Sequence, residues 1–165
     1  MVKFRIQQLA EFARQLEFTP ADTRVAQLSS AEELLLSIEP GRAYPFDFIV
    51  FKITGYHPKS PVSDLFTGMA LQHDLGLLID RVSHSLDLKI KDATQPILQI
   101  DDVCERFNVT SKTIQRWRRR GLPGRRFIFN DGKRRVGFLL TSVERFLAVH
   151  RDQVDTAANF SQVSD

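Results

Sequence analysis

Cysteine occurs once in these 165 residues, at Cys104, so no disulfide can close within the chain and a reducing compartment suits it. No apolar run reaches the length of a membrane span, which removes the membrane from the expected partners. The opening MVKFRIQQLAEF brings in charge too early for a signal peptide. These features predict a soluble, cytoplasmic protein. Histidine is scarce too: His57, His73, His84 and His150 are the four, and none stands at ligand spacing from cysteine or carboxylates. His73-Asp74 reads as a surface or helix-packing histidine rather than a catalytic pair. Glycine-rich phosphate loops, nucleophile elbows, internal repeats and low-complexity tracts are all missing. The expectation is a protein that is not an enzyme and needs no metal or cofactor.

One stretch lacks acid. Residues 111–135 hold ten Lys or Arg against a single acid, Asp131, in a chain with 23 basic and 20 acidic residues. The remainder therefore carries thirteen basic residues against nineteen acidic ones. A solvated surface needs no such concentration, whereas a polyanionic partner does. Apolar residues make up 42% of the chain and include thirteen phenylalanines, enough for a sizeable core.

Apolar spacing predicts an all-α region over residues 1–90. From Val2 to Glu17, Phe4 or Ile6, Leu9, Phe12, Ala13 and Leu16 recur at helical intervals. Thr19-Pro20 reads as an N-cap followed by a first-turn proline, opening a short helix to Leu28. Ser30 and Glu33 read as a capping box for a third helix, which Pro40-Gly41 stops. The run YPFDFIVFKITGYHP suits a helix or a buried strand. Helix is favoured, because no partner strand is evident nearby. After a loop marked by Gly55, Pro58 and Pro61, the stripe from Ser63 to Leu88 predicts the longest helix. Residues 91–99, polar with one proline, read as a linker.

Residues 100–150 then read as a winged helix-turn-helix. Asp101 is placed as the N-cap of a helix whose Val103 and Phe107 share a face, with small Cys104 beside them. Asn108 suits the left-handed turn that follows. Thr110 or Ser111 caps a second helix, with Ile114 and Trp117 turned inward. Lys112, Arg116 and Arg119 lie on its far side, flanked by Gln115 and Arg118. Gly121 ends it. A hairpin follows, Arg126 to Phe129 and Arg134 to Phe138 around Asn130-Asp131-Gly132-Lys133. Thr141 and Glu144 suggest a capping box for a last helix, and 151–165 reads as a frayed tail. The predicted base-reading residues are Ser111, Lys112, Thr113, Gln115 and Arg116. Arg118, Arg119 and Arg120 are placed on the DNA backbone or at the negative end of the helix dipole, and Arg125, Arg126, Lys133, Arg134 and Arg135 of the wing on phosphate.

Four segments carry a family resemblance: YPFDFIVFKITGYHP, LQHDLGLLIDRVSHSLDL, SKTIQRWRRRGLPGRRFIFNDGKRRVGF and VERFLAVHRDQVDTAANFSQVSD. They resemble the N-terminal portion of planctomycete-type sigma-70-family RNA polymerase sigma factors, across roughly residues 30–165. The basic unit separately resembles the winged helix-turn-helix of the MerR and excisionase group. In the sigma family the regions that bind core polymerase and open the promoter follow the segment matching this tail. The resemblance implies a transcription module on double-stranded DNA, with the helical region contacting RNA polymerase core, another protein or a second copy in a homodimer. Two rival expectations are a module docking an acidic protein and an excisionase-like architectural factor.

Overall fold

A computed structural model describes residues 3–58 and 63–150. The expected frayed tail at 151–165 and the expected loop residue Pro61 lie outside these. The described residues form seven α-helices and two small antiparallel sheets, so the chain is mostly helical. No described helix is long and apolar enough to cross a membrane.

Helix α1 spans Gln7–Leu16 and buries Leu9, Phe12, Ala13 and Leu16. It begins later than its apolar spacing predicts. The N–H groups of Arg5 and Ile6 donate instead to the buried carboxylate of Asp74, at 3.0 and 2.7 Å. Helix α2 is continuous over Ala21–Ser37, where the sequence suggests two helices with a break at Ser30. Leu28, Ala31, Leu34 and Leu35 all face one core, and that shared burial outweighs the serine pair. Pro20 stands at the N-cap itself, while the Thr19 hydroxyl turns back to the Leu16 carbonyl at 2.8 Å.

The ambiguous run resolves into both elements. Strand β1, Ala43–Pro45, leads directly into helix α3, Phe46–Thr54, which ends at the left-handed Gly55. The partner strand lies where a helix start was expected: β2, Leu65–Thr67, pairs Tyr44 with Phe66. The longest helix, α4, therefore runs only over Gly68–Ser85, capped by the Thr67 hydroxyl, which accepts from Ala70 N at 3.3 Å. Gly68 is required, since a Cβ there would sit 1.8 Å from the Glu39 carbonyl oxygen. Leu65 and Met69 are exposed and fall outside the buried stripe.

The stretch read as a linker is stitched into the second sheet. A 3-10 turn at Ile90–Asp92 leads to strand β3, Ile97–Leu98, which pairs with Leu139 and Phe138. Strands β4, Arg125–Ile128, and β5, Arg134–Leu139, form the hairpin, giving the order β3-β5-β4. Helix α5, Ile100–Phe107, is capped at Gln99 rather than Asp101, with the Asp102 carboxylate accepting from Gln99 N at 2.8 Å. Helix α6 spans Ser111–Arg119 and helix α7 spans Leu140–Val149. The expected Thr141 capping box is absent from α7, because the Thr141 N–H donates to Gln95 Oε1 at 3.0 Å.

Two apolar clusters support this arrangement. One joins α1 to α4; the other gathers Val103, Ile114, Trp117, Leu122, Phe138, Val143 and Phe146. Leu36 of α2 packs against the second cluster, so α2 contributes to both.

Candidate nucleic-acid interface

The turn between α5 and α6 is set by local chemistry. Asn108 adopts φ 54° and ψ 51°, a left-handed conformation that asparagine tolerates well. Val109 follows, its N–H donating to the Cys104 carbonyl at 3.1 Å. Thr110 is the N-cap of α6, its hydroxyl accepting from Thr113 N at 3.3 Å. Ile114 is wholly buried and Trp117 is 2% exposed, its ring 5.6 Å from that of Phe146. Those two anchors fix which face of α6 turns outward. Cys104 is partly buried, and burial raises its thiol pKa.

The far end of α6 docks on the N-terminal helices. Gln72 of α4 is 3% exposed, and its Nε2 donates to the carbonyls of Ile38 and Arg120 at 3.1 and 3.2 Å. Gly121 turns the chain away with φ 119°, a left-handed value that favours glycine. Helix α6 is thus held at both ends and through its inner face.

The predicted site residues separate into two groups. Ser111, Lys112, Gln115, Arg116, Arg119 and Arg120 are exposed along α6, and Thr113 is half-buried. Among the described residues, none of Lys112, Arg116 and Arg119 meets a carboxylate. Lys133 is exposed at the hairpin tip, where its backbone N–H donates to Asp131 Oδ1 at 3.0 Å, and its ammonium meets no carboxylate among the described residues.

The hairpin arginines, expected to contact phosphate, each meet a carboxylate within the chain. Arg125 makes a two-point contact with Glu32 of α2, at 2.9 and 2.5 Å, with only 12% of the arginine side chain exposed. Arg126 donates to Asp80 of α4 at 2.6 Å, and its backbone N–H donates to the Ser83 hydroxyl at 2.8 Å. Arg134 engages Asp87 and donates to the His84 carbonyl at 3.2 Å. Arg135 pairs with Asp131 inside the hairpin and lies 5.4 Å over the Phe129 ring. Arg134 and Arg135 pull the carboxyls of Asp87 and Asp131 below their ordinary range, chiefly through these hydrogen bonds. The outer edge of β4 is also engaged, since Ile128 N donates to the Leu88 carbonyl at 2.6 Å.

Arg118 forms a third case. It is half-buried, 5.9 Å over the Phe138 ring, with Nη1 3.4 Å from Gln115 Oε1. No group of three or more His, Cys, Asp or Glu among the described residues is placed to hold a metal ion. The acids that hold Arg125, Arg126 and Arg134 are the functional neighbours that sequence reading does not find. Their only sequence signal is the acidic excess outside 111–135. Neither a family model, nor a curated protein, nor a solved structure matches this chain. Geometry and charge are left to argue the function.

Proposed function

We propose that the chain is a double-stranded-DNA-binding module in which α5, α6 and the β4–β5 hairpin act as a winged helix-turn-helix. One observation carries this reading: α6 is anchored inward by Ile114 and Trp117 and presents Lys112, Arg116 and Arg119 outward, without carboxylate partners. A helix so placed fits the major groove, where Gln115 and Arg116 near its front can address base edges. Ser111, Thr113 and Lys112 join them there. Arg119 and Arg120 fall nearer the phosphates, and the wing's direct contribution narrows to Lys133 and Arg135 near the hairpin tip. As part of the same proposal, the helical half would contact RNA polymerase core, as the sigma-factor resemblance implies. The protein would then reside on the nucleoid.

Binding of random-sequence duplex across a salt series, with a polyglutamate competitor, tests the proposal. The expected result is duplex binding that weakens steeply with salt and resists the competitor at equal charge. Binding that the competitor abolishes would instead support docking of an acidic protein. A specific observation favours that second reading: Glu32, Asp80 and Asp87 already occupy arginines of the basic region.

A further inference from the structure

Between α4 and α6 lies a cleft of about 390 Å³, lined by His73, Gly76 and Asp80 on one side and by Gln115, Arg118 and Arg119 on the other. Arg126 reaches it from the hairpin. Its charge balance is uneven. Asp80 is the one carboxylate in the lining, and it is already bound to Arg126 at 2.6 Å. His73 is held through Nδ1, 2.7 Å from Asp74 Oδ1, and its other ring nitrogen has no protein partner among the described residues.

Arg118 is the anomaly of the basic region. Arg125, Arg126, Arg134 and Arg135 each hold a carboxylate, whereas Arg118 is half-buried with an aromatic face and one long contact to an amide. Burial lowers the Arg118 pKa; the charge of Asp80, which is bound to Arg126, offsets this only in part, and Arg126 itself adds to the lowering. Such a group is stabilised when an anion arrives. Its planar fork matches two oxygens of a phosphoryl group. The cleft is wide enough for one, and the α4 wall is low at Gly76, where an added Cβ would come 3.9 Å from the Arg118 carbonyl oxygen.

We infer that this cleft is a phosphoryl-binding site in which Arg118 is the anchor, Arg119 a second donor and His73 a rim contact. The phosphoryl group has two conceivable sources: a backbone phosphate of duplex bound along α6, or a free phosphate ester. The first source rests on the DNA-binding reading; the second is independent of it.

The test uses the full chain with inorganic phosphate as probe, at ionic strength held constant with chloride. Phosphate is expected to raise the melting temperature of the wild type and to shift the Arg118 Nε–Hε resonance, while chloride does neither. Arg118→Gln is expected to weaken phosphate binding by about tenfold or more, and Arg118→Lys, which keeps the charge, by less. In parallel, the Arg118→Gln slope of log K against log salt for duplex is expected to be shallower by about one unit. A phosphate response with an unchanged duplex slope identifies the free ester, and a changed slope with no phosphate response identifies the DNA backbone. If the wild type responds to phosphate yet binds no duplex, the DNA reading fails and the site stands. The inference is overturned if the wild-type Arg118 resonance ignores both phosphate and duplex, a result that needs no variant to fold.

Discussion

Trp117 has more structural weight than any other side chain of α6. Its indole is 2% exposed and packs against Phe146, with Ile114 wholly buried one turn earlier. Truncation leaves a large cavity that a short helix cannot close, so Trp117→Ala should cost about 3–5 kcal/mol. Chemical denaturation monitored by circular dichroism checks this, and an unchanged midpoint would place the indole outside the core. Arg125 and Glu32 form the other critical residue pair, with 12% and 9% of their side chains exposed. Removing one partner strands a buried charge. Glu32→Gln should therefore destabilise by about 3–5 kcal/mol, while replacing both by apolar residues of similar volume should recover most of that loss. A double-mutant cycle measures the coupling. Asp87 behaves in the opposite way at the exposed surface. Its carboxyl is held below its ordinary range, first by the hydrogen bond from Arg134. The pairing is therefore complete above the ordinary carboxyl pKa and is lost as pH falls through the depressed one. An acid titration followed by carboxyl NMR should show Asp87 releasing Arg134 only below the ordinary carboxyl range, and Asp87→Asn should erase that transition.

At the scale of elements, α6 and the hairpin differ in how their cations are held. Lys112, Arg116 and Arg119 of α6 face outward, whereas Arg125, Arg126 and Arg134 bracket the hairpin to α2 and to the end of α4. Gln115→Ala or Arg116→Ala should relax base preference at one or two positions of a selected site, by about 1–3 kcal/mol each. Arg119→Ala should weaken all duplexes alike. Lys133→Ala should flatten the salt slope by about one unit, and Arg134→Ala should leave the slope nearly unchanged while lowering stability. Selection from random duplexes, followed by salt titration of each variant, separates these outcomes. The same contrast shows what a sequence can reveal. Asn108, Thr110 and the Asp131-Gly132 turn are set by neighbours a few residues away, and each is where local chemistry places it. The hairpin's role depends on partners far along the chain, with Glu32 lying 93 positions from Arg125 and Asp80 lying 46 from Arg126. No local pattern encodes such pairs. The continuous α2 and the short strand β2 were hidden for the same reason, since tertiary burial and a distant strand partner decide them.

For the molecule as a whole, the question is whether two apolar clusters make two folding units. They are joined by contacts that neither can satisfy alone. Gln72 bonds Ile38 from the first half and Arg120 from the second. Leu36 of α2 packs into the second cluster, and Asp80, Ser83 and Leu88 hold β4 through a side chain, a hydroxyl and the backbone. Separating the halves would leave Glu32 and Arg125 desolvated without partners, or force both back into water with loss of the surrounding packing. The chain should therefore unfold in one cooperative step, with calorimetric and van't Hoff enthalpies equal, although the sequence places a linker at 91–99. A fragment limited to 96–150 should be markedly less stable than the same residues in the whole chain, because β4 loses its contacts with α4 and Leu88, and Arg125, Arg126 and Arg134 lose their acids. That fragment should also bind duplex with a steeper salt slope, since up to three arginines become available to phosphate. Two resolved thermal transitions in the full chain, or a fragment as stable as the parent, would show that the halves fold independently.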